Sequence, residues 1–154
     1  INYIGTDPCT ETFEGLKEMR NDWGNKKRTI ELHKLGSEVF RPDKNSVDFC
    51  FTSPPYFDWE KYSDEDTQSY IKYPTVKEWI DGFLWNTMDK CHYGLKPGGI
   101  LAMNVANTKR IKNFEEETIR IAKEIHYKHI DTWYLQLSSQ TGTPKYEPIF
   151  IFKK

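Results

Sequence analysis

The apolar run Val47-Asp48-Phe49-Cys50-Phe51, stopped at once by Thr52-Ser53-Pro54-Pro55-Tyr56, constrains this chain more than any other stretch. A short run rich in β-formers and closed by a proline pair predicts a buried strand that empties into a rigid loop. Each proline fixes its own φ and brings no N–H. Each also drives the residue before it, Ser53 and then Pro54, toward extended geometry. The corner therefore offers carbonyl acceptors and the Ser53 hydroxyl, with an aromatic ring following at Tyr56. Acceptors beside a ring face suit a planar group that carries an amine. Taken alone, the same residues also describe a proline turn with an exposed tyrosine.

The segments around the corner alternate strand and helix. Residues 1–5 read as a strand, and Asp7-Pro8 opens a helix on which Phe13, Leu16, Met19 and Trp23 recur at helical spacing until Gly24. Residues 29–35 alternate with the period of a strand and end at Gly36-Ser37-Glu38. After the proline corner, Thr75 and Glu78 form a capping box for a helix that closes at Gly94. Leu95-Lys96-Pro97-Gly98-Gly99 turns into the apolar strand 100–105, and Asn113 with Glu116 caps a further helix. Two β-rich runs, 130–137 and 148–152, follow with a connection at 138–147 containing Gly142 and Pro144. Strand–helix alternation implies a parallel sheet covered on both faces. Two final strands with no helix between them imply an antiparallel pair.

Composition bounds the reading. The 154 residues suit a single domain, residues 1–154, and no internal boundary or repeat appears. Lys and Arg number 22 against 23 Asp and Glu, so no basic surplus announces nucleic acid. No stretch is long and apolar enough to span a bilayer, and no signal peptide is visible. Cys9, Cys50 and Cys91 lack metal-site spacing and fit reduced thiols of a cytoplasmic protein, Cys50 and Cys91 as core fillers. His126 and His129 lie one helical turn apart without a further ligand nearby, so no metal is expected.

The corner resembles the motif of the S-adenosylmethionine-dependent amino-methyltransferases of DNA, which carry Asp, Asn or Ser before Pro-Pro and an aromatic residue. The resemblance covers essentially the whole chain, and the Leu-Lys-Pro-Gly-Gly turn stands where that family has one. It implies an α/β, Rossmann-like sheet of seven strands with a terminal antiparallel hairpin. Along that order the chain is expected to run from the second strand to the seventh, as a partial catalytic domain without its first strand. Ile1 is not a methionine, and no Gly-x-Gly turn for the cofactor's methionine end occurs near it. A fragment of this kind is expected to be poorly active and to associate with itself.

The resemblance also assigns roles. Ser53, Pro54, Pro55 and Tyr56 become the catalytic residues, with S-adenosyl-L-methionine as cofactor and double-stranded DNA as partner. Hydrogen bonds from a base amine to Ser53 and the Pro54 carbonyl favour a nitrogen lone pair free to attack a methyl, and Tyr56 stacks on a flipped base. Asp7 resembles the acidic residue on the cofactor ribose, although an N-cap carboxylate also explains it. Ser37 and Glu38 stand where a polar or acidic residue meets adenine; solvated turn residues fit as well. Residues 57–74 read as a lid over the base with Phe57 and Trp59 as walls, although its acidic residues repel phosphate. Lys109 and Arg110 are candidates for a phosphate contact, with Asn104 and Asn107 as polar liners. Cytosine N4 and adenine N6 both remain open as the target. Methylation of RNA or of a protein glutamine, and a non-catalytic partner-binding role, are the alternatives.

Overall fold

A computed structural model of the chain describes residues 2–24, 27–137 and 145–154. Six strands and five α-helices follow one another as β1 (Tyr3–Thr6), α1 (Thr10–Trp23), β2 (Ile30–His33), β3 (Val47–Thr52), α2 (Ser69–Lys72), α3 (Val76–Glu78), α4 (Trp85–Gly94), β4 (Leu95–Asn104), α5 (Phe114–Glu124), β5 (Lys128–Leu137) and β6 (Lys145–Lys153). Every strand expected from the sequence is present. Ile1 and the expected connection through Gly142 and Pro144 fall outside the described residues.

The strands lie in two sheets. β1 and β2 pair in parallel, and β3-β4-β6-β5 form a second sheet. β3 and β4 are parallel, while β6 runs antiparallel between β4 and β5. The terminal antiparallel pair is therefore as expected, with its second strand on the inside. β1 and β3 do not pair with each other among the described residues. This division corrects the buried character expected of β3. One edge of β3 meets no strand among the described residues, and Phe49 and Phe51 are 57% and 61% exposed.

The core gathers where two layers meet. Leu101 and Met103 of β4 and Phe150 and Phe152 of β6 pack with Leu84, Met88, Phe114 and Ile121. Cys50 of β3 lies against Cys91 of α4; their contact, together with burial, pushes the Cys91 thiol up. The two-stranded sheet is too narrow to do the same for α1, which buries no side chain and leaves Trp23 86% exposed. The helical spacing of Phe13, Leu16, Met19 and Trp23 thus forms the helix without finding a full partner surface.

Local chemistry explains the element ends. Thr75 and Glu78 make the expected capping box. The helix beyond it is not uniform: a π-helical segment, Trp79–Leu84, separates α3 from α4. A methyl group on Gly82 there would run into the Tyr73 ring, so the small residue lets that ring pack. β4 swings residues 96–99 outward between its pairs Val47↔Leu95 and Phe49↔Ile100. Gly98 takes φ 82° in this turn, the left-handed region that favours glycine. At α5 the expected cap is corrected. The Asn113 side chain makes no cap bond, and Asn107 and Glu115 instead exchange two bonds of 3.0 Å across the start of the helix.

Candidate active site

Parallel strands end on the same side of a sheet, where their last backbone groups and the following loops are free to receive a ligand. β3 ends at Thr52, which pairs with Met103 of β4, and Ser53 follows it exposed. Pro54 is buried, and Pro55 and Tyr56 are half-buried. The corner is thus anchored by its first proline, with the serine left at the surface.

Tyr56 stands edge-on to Phe114, with ring centroids 5.6 Å apart at 87°. Its hydroxyl is buried with no hydrogen-bond partner among the described residues. Burial first, and then the Glu147 carboxylate, push the phenol up to about 12; the nearby Ala106 peptide N–H pulls the other way. Phe57 is not a wall of the corner. It takes φ 56°, a left-handed backbone unusual for a bulky residue, and its ring lies in the core 6.3 Å from Trp79. Trp59 is exposed and remains available.

Lys109 is exposed, but Arg110 is already engaged. Its guanidinium takes both oxygens of Asp58, with Nε donating to Oδ1 at 3.0 Å and an Nη to Oδ2. The Arg110 fork holds the Asp58 carboxyl below the usual carboxylate range. Arg110 therefore fastens the segment after the corner, with its guanidinium still largely exposed. Asn104 and Asn107 are structural as well. Asn104 is buried and donates to the Pro148 carbonyl at 3.0 Å, and Asn107 serves α5.

A second group of residues sits at the ends of β1 and β2. Asp7 Oδ1 accepts the Cys9 N–H at 2.8 Å, while Cys9 itself stands at the N-cap of α1. Asp7 therefore shapes the turn before the helix and does not cap it; its second oxygen has no hydrogen-bond partner among the described residues. Burial, the largest cause, pushes its carboxyl up, and Glu65 adds to this against the pull of the Cys9 N–H. Ser37 turns inward, sharing a hydrogen bond of 2.9 Å with Thr87 of α4. Glu38 is buried; Oε1 pairs with Lys72, and Oε2 has no partner among the described residues. Beside these residues lies a cavity of about 240 Å³ lined by Pro8, Leu35, Val39, Asp66, Thr67 and Lys72, among others.

No protein-family model matches the sequence, and no curated protein matches it. Solved structures do. An S-adenosylmethionine-dependent methyltransferase from Methanosarcina mazei aligns with a TM-score of 0.61 at 12% identity, over 98% of this chain and 81% of that one. The fold is that of the S-adenosylmethionine-dependent methyltransferases. The N-methyltransferase NodS from Bradyrhizobium japonicum aligns at TM-score 0.60 and 15% identity, over 99% of this chain and 73% of NodS. A candidate DNA modification methylase from Thermus thermophilus aligns at 0.55 and 14%, over all of this chain and 53% of that one. The same Thermus protein is also known in complex with S-adenosyl-L-methionine.

On a methyltransferase fold the two groups of residues divide naturally. The cavity is smaller than the roughly 300–1,000 Å³ usual for a complete ligand site. Its lining joins the apolar Pro8, Leu35 and Val39 to the charged Lys34, Asp66 and Lys72, and Asp7 directly precedes Pro8. Glu65 and Lys72 escaped the sequence reading. Lys72 stands far from Glu38 along the chain, and no local spacing signals their pairing.

Proposed function

We propose that this chain is the catalytic domain of an S-adenosylmethionine-dependent methyltransferase that modifies an exocyclic amine of a DNA base, cytosine N4 or adenine N6. One observation carries the reading: Ser53 lies exposed at the carboxyl end of β3, in a Ser-Pro-Pro-Tyr corner, on a methyltransferase fold. The Thermus relative in fold supports DNA as the substrate class, and NodS supports a nitrogen acceptor.

When bound, S-adenosylmethionine supplies an electrophilic methyl on sulfur and departs as a neutral thioether. The corner's part is to prepare the acceptor. The Ser53 hydroxyl and the Pro54 carbonyl accept the two amine hydrogens and turn the nitrogen lone pair out of conjugation with the ring. The proton displaced from nitrogen leaves to solvent at the exposed serine. This is orientation and electrostatics, without a strong base. A base inside a duplex must first be flipped out, and the open side of Tyr56, with Trp59, offers it a stacking surface. Asp7 and the cavity beside it would hold the nucleoside end of the cofactor.

The test is transfer of a labelled methyl group from S-adenosylmethionine to duplex DNA, transfer RNA and protein, each offered separately. Label on cytosine N4 or adenine N6 of DNA is the expected result. Label confined to RNA or to glutamine would move the chain to a different substrate class, and no transfer to any of them would refute the enzymatic reading.

A further inference from the structure

The segment that follows the proline corner does not lie over Ser53. It runs across the other half of the molecule and is fastened there at several points. Glu65 accepts the Thr10 peptide N–H at 3.0 Å and the Thr10 hydroxyl at 2.9 Å. These bonds hold the Glu65 carboxyl below its usual range, the Thr10 N–H contributing most. Cys9 makes no side-chain cap, so this distant glutamate serves the first turn of α1 in its place. Thr67 donates to the Pro8 carbonyl at 3.3 Å, and Lys72 reaches Glu38. The far end is tied into the core, where Ser69 accepts the Trp79 indole N–H at 3.0 Å.

Between these fastenings lies the cavity of about 240 Å³. Pro8, Leu35 and Val39, with Lys34 and Gly36, line it from the body of the chain; Asp66, Thr67 and Lys72 line it from the crossing segment. Without the segment the cavity is an open shelf at the ends of β1 and β2.

We propose that the segment Glu65 to Lys72 is the outer wall of the pocket for the cofactor's nucleoside, and that Glu65 is the positioning residue that latches this wall to Thr10. This rests on the methyltransferase reading above. The Glu65–Thr10 pair, beside the Thr67–Pro8 and Lys72–Glu38 contacts, holds the wall where it supplies contacts to a nucleoside. The same segment starts at the Ser53 corner, where Arg110 grips Asp58, so a nucleoside pressing on the wall bears on the loop that follows the acceptor site.

The experiment titrates S-adenosylhomocysteine by calorimetry into the wild-type chain, Glu65→Ala, Thr10→Val and the double variant. Amide hydrogen exchange across residues 63–73 is followed with and without ligand. Each single substitution is expected to weaken binding roughly two- to fivefold, the range of an exposed charged contact. The double variant should bind no more weakly than Glu65→Ala alone, because the hydroxyl bond that Thr10→Val removes ends on the same carboxylate, while the Thr10 peptide N–H is lost only with Glu65. Ligand should slow exchange of the segment's amides in the wild type and do so less in Glu65→Ala, a response that mere loss of fold stability does not produce. Unchanged affinity in Glu65→Ala, losses that add in the double variant, or a segment left unprotected by ligand would each overturn the latch while the methyltransferase reading stands. A wild-type chain that binds no S-adenosylhomocysteine would overturn both.

Discussion

Two side chains separate the proposed chemistry from the proposed binding. In the proposed mechanism Ser53 touches the acceptor amine alone, so Ser53→Ala should leave cofactor affinity intact and lower turnover by roughly a hundredfold, the loss typical of one well-placed polar group in a transition state. Steady-state methyl transfer and cofactor titration on the same preparation check this. Asp7 carries the opposite signature. Its carboxyl is raised by burial, so the fold favours the protonated form. Any stability this gives is present at acid pH and lost as pH rises through the raised value; at neutral pH the ionised group opposes folding. Asp7→Asn keeps an acceptor for the Cys9 N–H. It should raise the melting temperature at pH 7, an advantage that fades as pH falls through the raised carboxyl value and is gone below the ordinary Asp value of about 3.9. The same change should weaken cofactor binding about tenfold by removing a charged acceptor for the ribose. Paired melting curves and titrations would show whether the two effects part company in this way. The sequence displays Ser53 and Asp7 because each stands at the end of a strand whose pattern is plain. It conceals the fate of Phe57 and Arg110. The first depends on a left-handed backbone at a non-glycine residue, and the second on Asp58, which lies 52 positions away.

Helices and strands were legible wherever a period or a cap is written locally. The strands around Phe49, Leu101 and Ile151 and the Thr75–Glu78 box follow from spacing alone. Features that depend on a partner from elsewhere were not legible. The π-helical segment Trp79–Leu84 keeps the apolar spacing of an ordinary helix, and α2 is only four residues long. The start of α5 shows the difference most clearly. Asn113 has the expected position, yet Asn107 makes the bonds. Asn107→Ala should therefore cost about 1 kcal/mol, as loss of a helix cap does, and Asn113→Ala distinctly less. Denaturant unfolding of the two variants ranks them, and the reverse order would return the cap to Asn113. Gly82→Ala is expected to be costlier, by about 1–3 kcal/mol, because the added methyl must displace the Tyr73 ring within a packed layer.

The molecule as a whole is built on two sheets, and β1 and β3 each have an edge with no strand partner among the described residues. β3 presents Phe49 and Phe51 beside such an edge, and β1 presents Tyr3 and Ile4. Free edges flanked by apolar side chains recruit other strands. The 154-residue chain should therefore self-associate at micromolar concentration, and Phe51→Lys should reduce this; light scattering on the two proteins decides it, a monodisperse wild-type monomer being the contrary result. The placing of β6 inside its sheet has a different consequence, one that concerns manufacture. A ribosome delivers β5 first, yet the only partner of β5 among the described residues is β6, which has still to be made. Residues 138–153 take roughly one to three seconds to synthesise at ordinary rates. Until β6 is free to fold, Trp133, Tyr134 and Leu135 have no strand to pair against, so β5 joins the sheet only after the last strand has been made.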